Sequence, residues 1–256
     1  MVLDALRRPP QTNEVGRTVS LAGGLAVIAQ RFGLPIRLLE IGTSAALNLR
    51  LDHYWYEQAG ERWGDPASAV RFIDLWLMQP PPFASGARIV ERRGCDRDPI
   101  DATNDPEAAL TLLSYVWPGQ DARFETLRAA LGIAATVPVD VDRADAADWV
   151  PARLAEPRAG VATVVMHSIF WQYLDTPQGD AVLRAIDGAG ARATADAPLA
   201  HLRLEPASSD PWTELRLTTW PGGEEQLLAT AGFHAGPVRW PAAPAAADSG
   251  AETGEQ

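Results

Sequence analysis

The sequence has a single cysteine, Cys95, in 256 residues. No intrachain disulfide can form and no cysteine cluster can hold a metal, which suits a reducing cytoplasm. An excess of positive charge is also lacking. The net charge of -11 argues against general affinity for nucleic-acid phosphates. No long hydrophobic run is present either. The most apolar region, "VSLAGGLAVIAQRFGLPIRLLEIG", is broken by Gln30, Arg31, Pro35 and Arg37, too often for a membrane span. The opening "MVLDALRRPPQ" has no apolar core of a secretion signal, so a cytoplasmic location without a membrane partner is expected. The histidines show no H-x-x-H or H-E-x-x-H spacing, and no metal is expected.

What is there alternates between strand-like and helix-like segments. "NEVGRTVSLAGGLAVIAQRF" carries apolar residues near helical spacing and is stopped by Gly33 and Pro35. "IRLLEIG" is a short, nearly continuous apolar run, the mark of a strand buried on both faces. "SAALNLRLDHY" then reads as a helix. "YWYEQAGERWGD" reads as a hairpin, "AVRFIDLWL" as a further strand, and residues 53–88 as an insertion. Second, third, fourth and fifth strands follow in "ARIVERRGCD", "TVPVDVDR", "GVATVVMHS" and "LAHLRLEP", with helical material broken at Pro118 between the second and third. Asp148 reads as a cap for a short helix at "WVPARL". A closing strand, Pro-Gly-Gly turn and strand lie in "ELRLTTWPGGEEQLLATAGFHAGPVRW". The organisation expected is a helical lead over 1–36, an α/β domain over 37–240 and a disordered tail over 241–256.

In such a mostly parallel sheet, ligands bind at the carboxyl ends of the strands. Glu40 with Gly42, then Asp96, then Asp145, then His167 with Ser168 fall at successive strand ends.

This order resembles the class I S-adenosylmethionine (SAM)-dependent methyltransferase fold, a Rossmann-like sheet. "LEIGTSAALNL" sits where that fold has an acidic residue and a glycine loop after its first strand. "GCDRDP" is similar to the end of the second strand, and "DRADAADW" to the segment bordering the adenine. More narrowly, "QTNEVGR", "EIGTSAALNLRLDHYWY", "GCDRDPIDATNDPE", "YVWPGQ", "VVMHSIFWQYL" and "LTTWPGGEEQLLATAGFHAGPVRW" together resemble the bacterial DUF2332 family. Ala46 stands where that family's loop usually has its last glycine. About ten residues precede "QTNEVGR", so the helical lead is expected to be shortened.

Three readings of Gly42-Thr43-Ser44-Ala45-Ala46 follow. As a cofactor loop, the glycine lets the backbone approach a ligand and the following helix offers free N–H groups. The methyltransferase resemblance then implies that Glu40 orients the loop and meets the methionine ammonium, Asp96 takes the ribose hydroxyls and Asp145 faces the adenine. Ser44 and Asn48 add hydrogen bonds. As a nucleophile elbow, Ser44 would need His234 or His167 as its base. As a plain turn, the segment only caps a helix. The function expected is SAM-dependent methyl transfer to a small molecule or a protein, with His167 as base and Tyr173 as second choice. The alternative is a catalytically inert methyltransferase-like domain with a binding or regulatory role, which a filled pocket beside Gly42 would favour. An NAD-dependent dehydrogenase is disfavoured, because G-x-G-x-x-G is absent.

Overall fold

The computed structural model describes residues 11–207 and 212–240. The tail expected to be disordered and the first ten residues lie outside this range. The first helix, α1 (Thr18–Phe32), follows a 3₁₀ turn at Val15–Arg17, whose Gly16 N–H is capped by the Glu14 carboxylate at 3.1 Å. Gly33 ends α1 in the left-handed region, and its N–H returns to the Ala29 carbonyl at 2.9 Å. Eleven of the fifteen residues of α1 are buried.

The strand β1 (Ile36–Ile41) is buried at every position, as its apolar run predicts. Its alternate side chains feed two cores. Ile36 and Leu38 join Leu25, Ile28, Leu127 and Leu202 on one face. Leu39 and Ile41 join Trp149, Val150, Val182 and Ile186 on the other.

The helix expected after Gly42 is absent. Ser44 and Ala46 have positive φ, and the chain continues as a 3₁₀ segment over Asn48–His53 with a kink at Arg50. The reason is tertiary. The Asn13 side chain accepts from the Leu47 N–H at 2.9 Å, Tyr54 OH donates to the Leu47 carbonyl at 2.7 Å, and Arg50 Nη1 donates to the Ala46 carbonyl at 2.8 Å. These partners satisfy groups that an α-helical ladder would otherwise pair.

The expected hairpin is β2 (Trp55–Gln58) with β3 (Glu61–Gly64). "AVRFIDLWL" is not one strand but two, β4 (Arg71–Ile73) and β5 (Trp76–Leu77), split where Asp74 takes a positive φ. β4 joins the hairpin in a small sheet, whereas β5 pairs into the main one. There follow β6 (Ile89–Asp96), α2 (Pro106–Ser114), α3 (Asp121–Ala134), β7 (Asp140–Arg143), α4 (Ala146–Arg153) and β8 (Ala162–Ser168). Then come α5 (Thr176–Gly190), β9 (Leu199–Pro206), β10 (Thr213–Trp220), β11 (Glu224–Gly232) and β12 (Ala235–Arg239). The cap of α4 is Asp145, not Asp148, which lies in its first turn. The closing hairpin has a third strand, β12, that the sequence pattern did not reveal.

The main sheet has nine strands in the order β5-β12-β11-β10-β9-β8-β1-β6-β7. From β7 to β9 all neighbours are parallel, while β9 to β12 are antiparallel. The fold is therefore α/β, with a mostly parallel sheet and an antiparallel extension. Chain order reverses between β1 and β8, so their carboxyl ends flank the crevice where such sheets take ligands. No described helix is long and apolar enough to cross a membrane.

One ionic junction ties β6, β7 and α4 together. The Asp142 carboxylate accepts two bonds from Arg93 at 2.8 and 2.7 Å, one from Trp149 Nε1 at 2.6 Å and one from Arg153 at 3.2 Å. Its hydrogen bonds to Arg93, outweighing burial, lower its pKa to about 2. A depressed carboxylate stabilises the fold above its unfolded pKa, and that contribution is lost as pH falls towards the folded value. We therefore predict that Asp142→Asn lowers stability at neutral pH by about 1–2 kcal/mol, allowing for solvent screening at this half-exposed site. Urea midpoints should show wild type losing this advantage between about pH 4 and pH 2. The variant should lack that part of the acid dependence.

Candidate functional site

A cleft of about 320 Å³ opens at the carboxyl ends of β1, β6, β7 and β8. Its walls include Gly42 and Ser44 after β1, Asp96 and Arg97 at the end of β6, Phe170 and Tyr173 after β8, and Arg17 before α1.

Gly42 is required twice over. Its φ is +70°, and a Cβ there would run into the Phe170 ring. The Gly42 and Thr43 N–H groups both donate to the Cys95 carbonyl, at 2.9 and 3.2 Å, bending the chain across the end of β6. The Ser44 N–H donates to Asp96 Oδ2 at 2.9 Å, and the Asp98 N–H to Asp96 Oδ1 at 2.9 Å. One carboxylate thus pins two cleft loops together. Cys95 also borders the cleft, but burial pushes its thiol up to about 12, so it is no nucleophile.

Several buried polar atoms around this loop have no partner among the described residues. They are Glu40 Oε2, Thr43 Oγ1, Ser44 Oγ and Asn48 Oδ1. Glu40 is 2% exposed, and burial with the nearby Asp96 charge holds its carboxyl well above the usual range. Arg17 and Arg50 pull it the other way. Unpaired buried polar atoms are costly, and their concentration at one sheet edge is not explained by packing.

The other predicted residues separate into two groups. Asp145 caps α4 by accepting from the Ala147 N–H at 2.9 Å, and it accepts from Gln178 Nε2 at 2.8 Å. Its neighbours Ala144 and Ala146 face the cleft instead. His167 is fully buried, with Nδ1 2.6 Å from Glu205 Oε1 and Nε2 2.9 Å from His201 Nε2. Both ring nitrogens are engaged, so this ring does not face the cleft. Burial above all, with His167 and Arg203 beside it, holds His201 well below its ordinary pKa. Glu205 also accepts from the Phe170 and Trp171 N–H groups, at 3.0 and 3.4 Å, and so shapes the loop that carries Tyr173. Tyr173 itself is 57% exposed on the cleft rim.

Ser44 has a φ of 52°, as a strained nucleophile would, but its Oγ contacts neither histidine. His234 instead lies 3.5 Å from Glu14. The three members of a hydrolytic triad are not brought together. Among the described residues no cluster of His, Cys, Asp and Glu could hold a metal ion.

Sequence reasoning missed Arg17, Phe170, His201 and Glu205. Arg17 lies within the "QTNEVGR" segment and was open to notice. The other three owe their roles to the pairing of β8 with β9 and to the turn after β8, which no local pattern encodes.

A family model described as an uncharacterised protein conserved in bacteria, DUF2332, matches residues 1–240. No curated protein matches, and neither does any solved structure.

The contact between Gly42 and Phe170 gives a stability test. Gly42→Ala should destabilise the protein by roughly 2–3 kcal/mol, combining left-handed strain with overpacking. Adding Phe170→Ala should recover part of that loss, leaving the backbone strain. Equilibrium unfolding of the two single variants and the double variant measures the coupling.

Proposed function

We propose, for a chain that belongs to the DUF2332 family and takes no activity from that membership, that the cleft binds SAM and serves methyl transfer. The observation that carries this reading is a set of buried, unpartnered polar atoms at the β1 edge of the crevice: Ser44 Oγ, whose residue lines the cleft with Asp96, and Glu40 Oε2 and Asn48 Oδ1, buried outside that lining. Parallel strands in chain order 3-2-1-4-5 support a class I methyltransferase-type, Rossmann-like sheet. The single buried thiol suits a cytoplasmic protein.

The donor set fits the group. Glu40 can receive an ammonium, which would relieve its desolvation and return its charge. Asp96, held by the Ser44 and Asp98 N–H groups, keeps lone pairs for ribose hydroxyls. Asp145 is engaged as a helix cap, so the adenine would rest against Ala144 and Ala146. When bound, SAM supplies an electrophilic methyl group. The chain's task is alignment, which lowers the barrier by bringing acceptor and donor into line. Tyr173 is our candidate for the acceptor's proton, since it stands on the rim. His167 positions the Phe170–Tyr173 segment through Glu205.

A second reading has its own support. Phe170 lies against Gly42, and a short 3₁₀ segment replaces the helix after the loop. Both features favour a methyltransferase-like domain that binds a ligand or regulates without turnover.

Calorimetric titration with S-adenosylhomocysteine tests the proposal. We expect micromolar binding, no binding of NADH, and a loss of at least roughly tenfold in Asp96→Ala, since a charged hydrogen bond contributes about 1.5–3 kcal/mol. A well-folded protein that binds no S-adenosylhomocysteine would overturn it.

A further inference from the structure

Arg17 stands apart from the other inward-facing arginines. Arg92 pairs with Asp52 at 2.7 Å, Arg93 with Asp142 at 2.7 Å, Arg37 with Glu91 at 3.0 Å, and Arg123 with Glu14. Arg50, which is 4% exposed, has no carboxylate but makes two short bonds of 2.8 Å to the Val137 and Ala46 carbonyls. Arg17 has neither arrangement. Its Nε donates to the Phe233 carbonyl at 3.4 Å and its Nη1 to the Ser168 carbonyl at 3.3 Å, both long for such bonds.

A guanidinium offers five donors, and Nη2 meets no acceptor among the described residues. The acidic groups around it are spoken for. Glu14 caps Gly16 and pairs with Arg123, while Glu205 holds His167 and the Phe170 N–H. Glu40 is kept towards its neutral form by burial. Tyr173 is the remaining neighbour that acts on Arg17 electrostatically. A half-buried cation in a cleft, with weak carbonyl contacts and no ion pair among the described residues, is costly unless a ligand supplies the anion. Arginine's planar fork suits a carboxylate.

We infer that Arg17 is a carboxylate-binding residue of the cleft. The ligand class that follows is a nucleoside joined to an amino acid, rather than a bare nucleoside. The nucleoside part of this inference rests on the cofactor reading above; the carboxylate part does not. Arg17 lies at the β8 side of the cleft, and Asp96 and Asp98 at the β6 side, where the one other lining cation among the described residues, Arg97, stands 3.8 Å from Asp145 and Asp98 pairs with Arg143 at 2.7 Å. A zwitterionic amino-acid end at the β8 side and sugar hydroxyls at the β6 side would satisfy both.

The experiment uses the full chain as wild type, Arg17→Gln and Arg17→Lys. Thermal unfolding is followed in sodium malonate and in sodium chloride of equal ionic strength. Malonate should raise the wild-type midpoint by several degrees, the rise should vanish in Arg17→Gln, and Arg17→Lys should retain part of it. An equal malonate effect in all three proteins, or none in wild type, overturns the carboxylate site.

Calorimetry then compares S-adenosylhomocysteine with 5′-methylthioadenosine, which keeps the nucleoside thioether and lacks the amino acid. Wild type should prefer the former at least tenfold, and Arg17→Gln should erase that preference while leaving methylthioadenosine binding unchanged. Equal wild-type affinity for the two, or equal weakening of both by Arg17→Gln, overturns the inference. If neither nucleoside binds but the malonate shift depends on Arg17, the cofactor reading falls and the carboxylate site stands. Should Arg17→Gln fail to fold, the wild-type preference and the Arg17→Lys malonate shift still decide.

Discussion

Everything near the cleft depends on the complete burial of β1 between two parallel partners. Each of its six residues is buried. Its register with β6 and β8 brings Glu40 beside Gly94 and Met166, and Ile41 beside Cys95. A strand so enclosed cannot shift by one residue without exchanging Leu39 for Glu40 across the sheet. The glycine turn that leaves it is therefore held in place by the sheet itself. The Asp96 carboxylate can reach the Ser44 N–H because parallel pairing ends both strands at the same level.

The region where that enclosure ends is where the fold leaves polar groups incompletely paired. Elsewhere many of the charged groups are well paired. Asp142, Asp145, Glu14 and Glu205 each take several donors, and most inward arginines find a carboxylate. Around Gly42 the pattern breaks, with Glu40, Ser44 and Asn48 short of partners and Arg17 short of an anion. Five further unpartnered atoms, on Tyr56, Trp76, Arg123, Arg153 and Thr219, are scattered through the described residues, whereas four gather around this one loop, as is expected at functional sites rather than in scaffolding. The buried His167 and the partly buried Glu205 are paired with each other rather than left open to the cleft. Glu205 also accepts from the Phe170 and Trp171 N–H groups of the turn after β8, which leads to the exposed Tyr173.

Much of the fold was legible from local pattern. The apolar run of β1 and the β-branched run of β8 announced buried strands, and Gly33 announced the end of α1. Asp96 was legible as a cleft residue because it follows a strand in an alternating chain. The failures were also physical. "SAALNLRLDHY" has helical periodicity, but Asn13 and Tyr54, remote or at its end, take over its backbone partners. "AVRFIDLWL" alternates smoothly, but the bend at Asp74 sends its two halves to different sheets. His167 was rightly set at a strand end, yet the direction of its side chain was decided by β9 alongside it.

By itself, the sequence determined the buried strands β1 and β8, the end of α1, the glycine at residue 42 and the acids at successive strand ends. These depend on periodicity, on φ sampling and on chain order, all of which are local. The tertiary structure alone decided which of those acids stay available. Asp145 was consumed by a helix cap and Glu40 was stripped of water, while Arg17, at the start of α1, was brought to the Ser168 carbonyl at the end of β8 and so onto the cleft lining. Which groups remain unpaired depends on the partners that distant segments bring, and no local pattern records that.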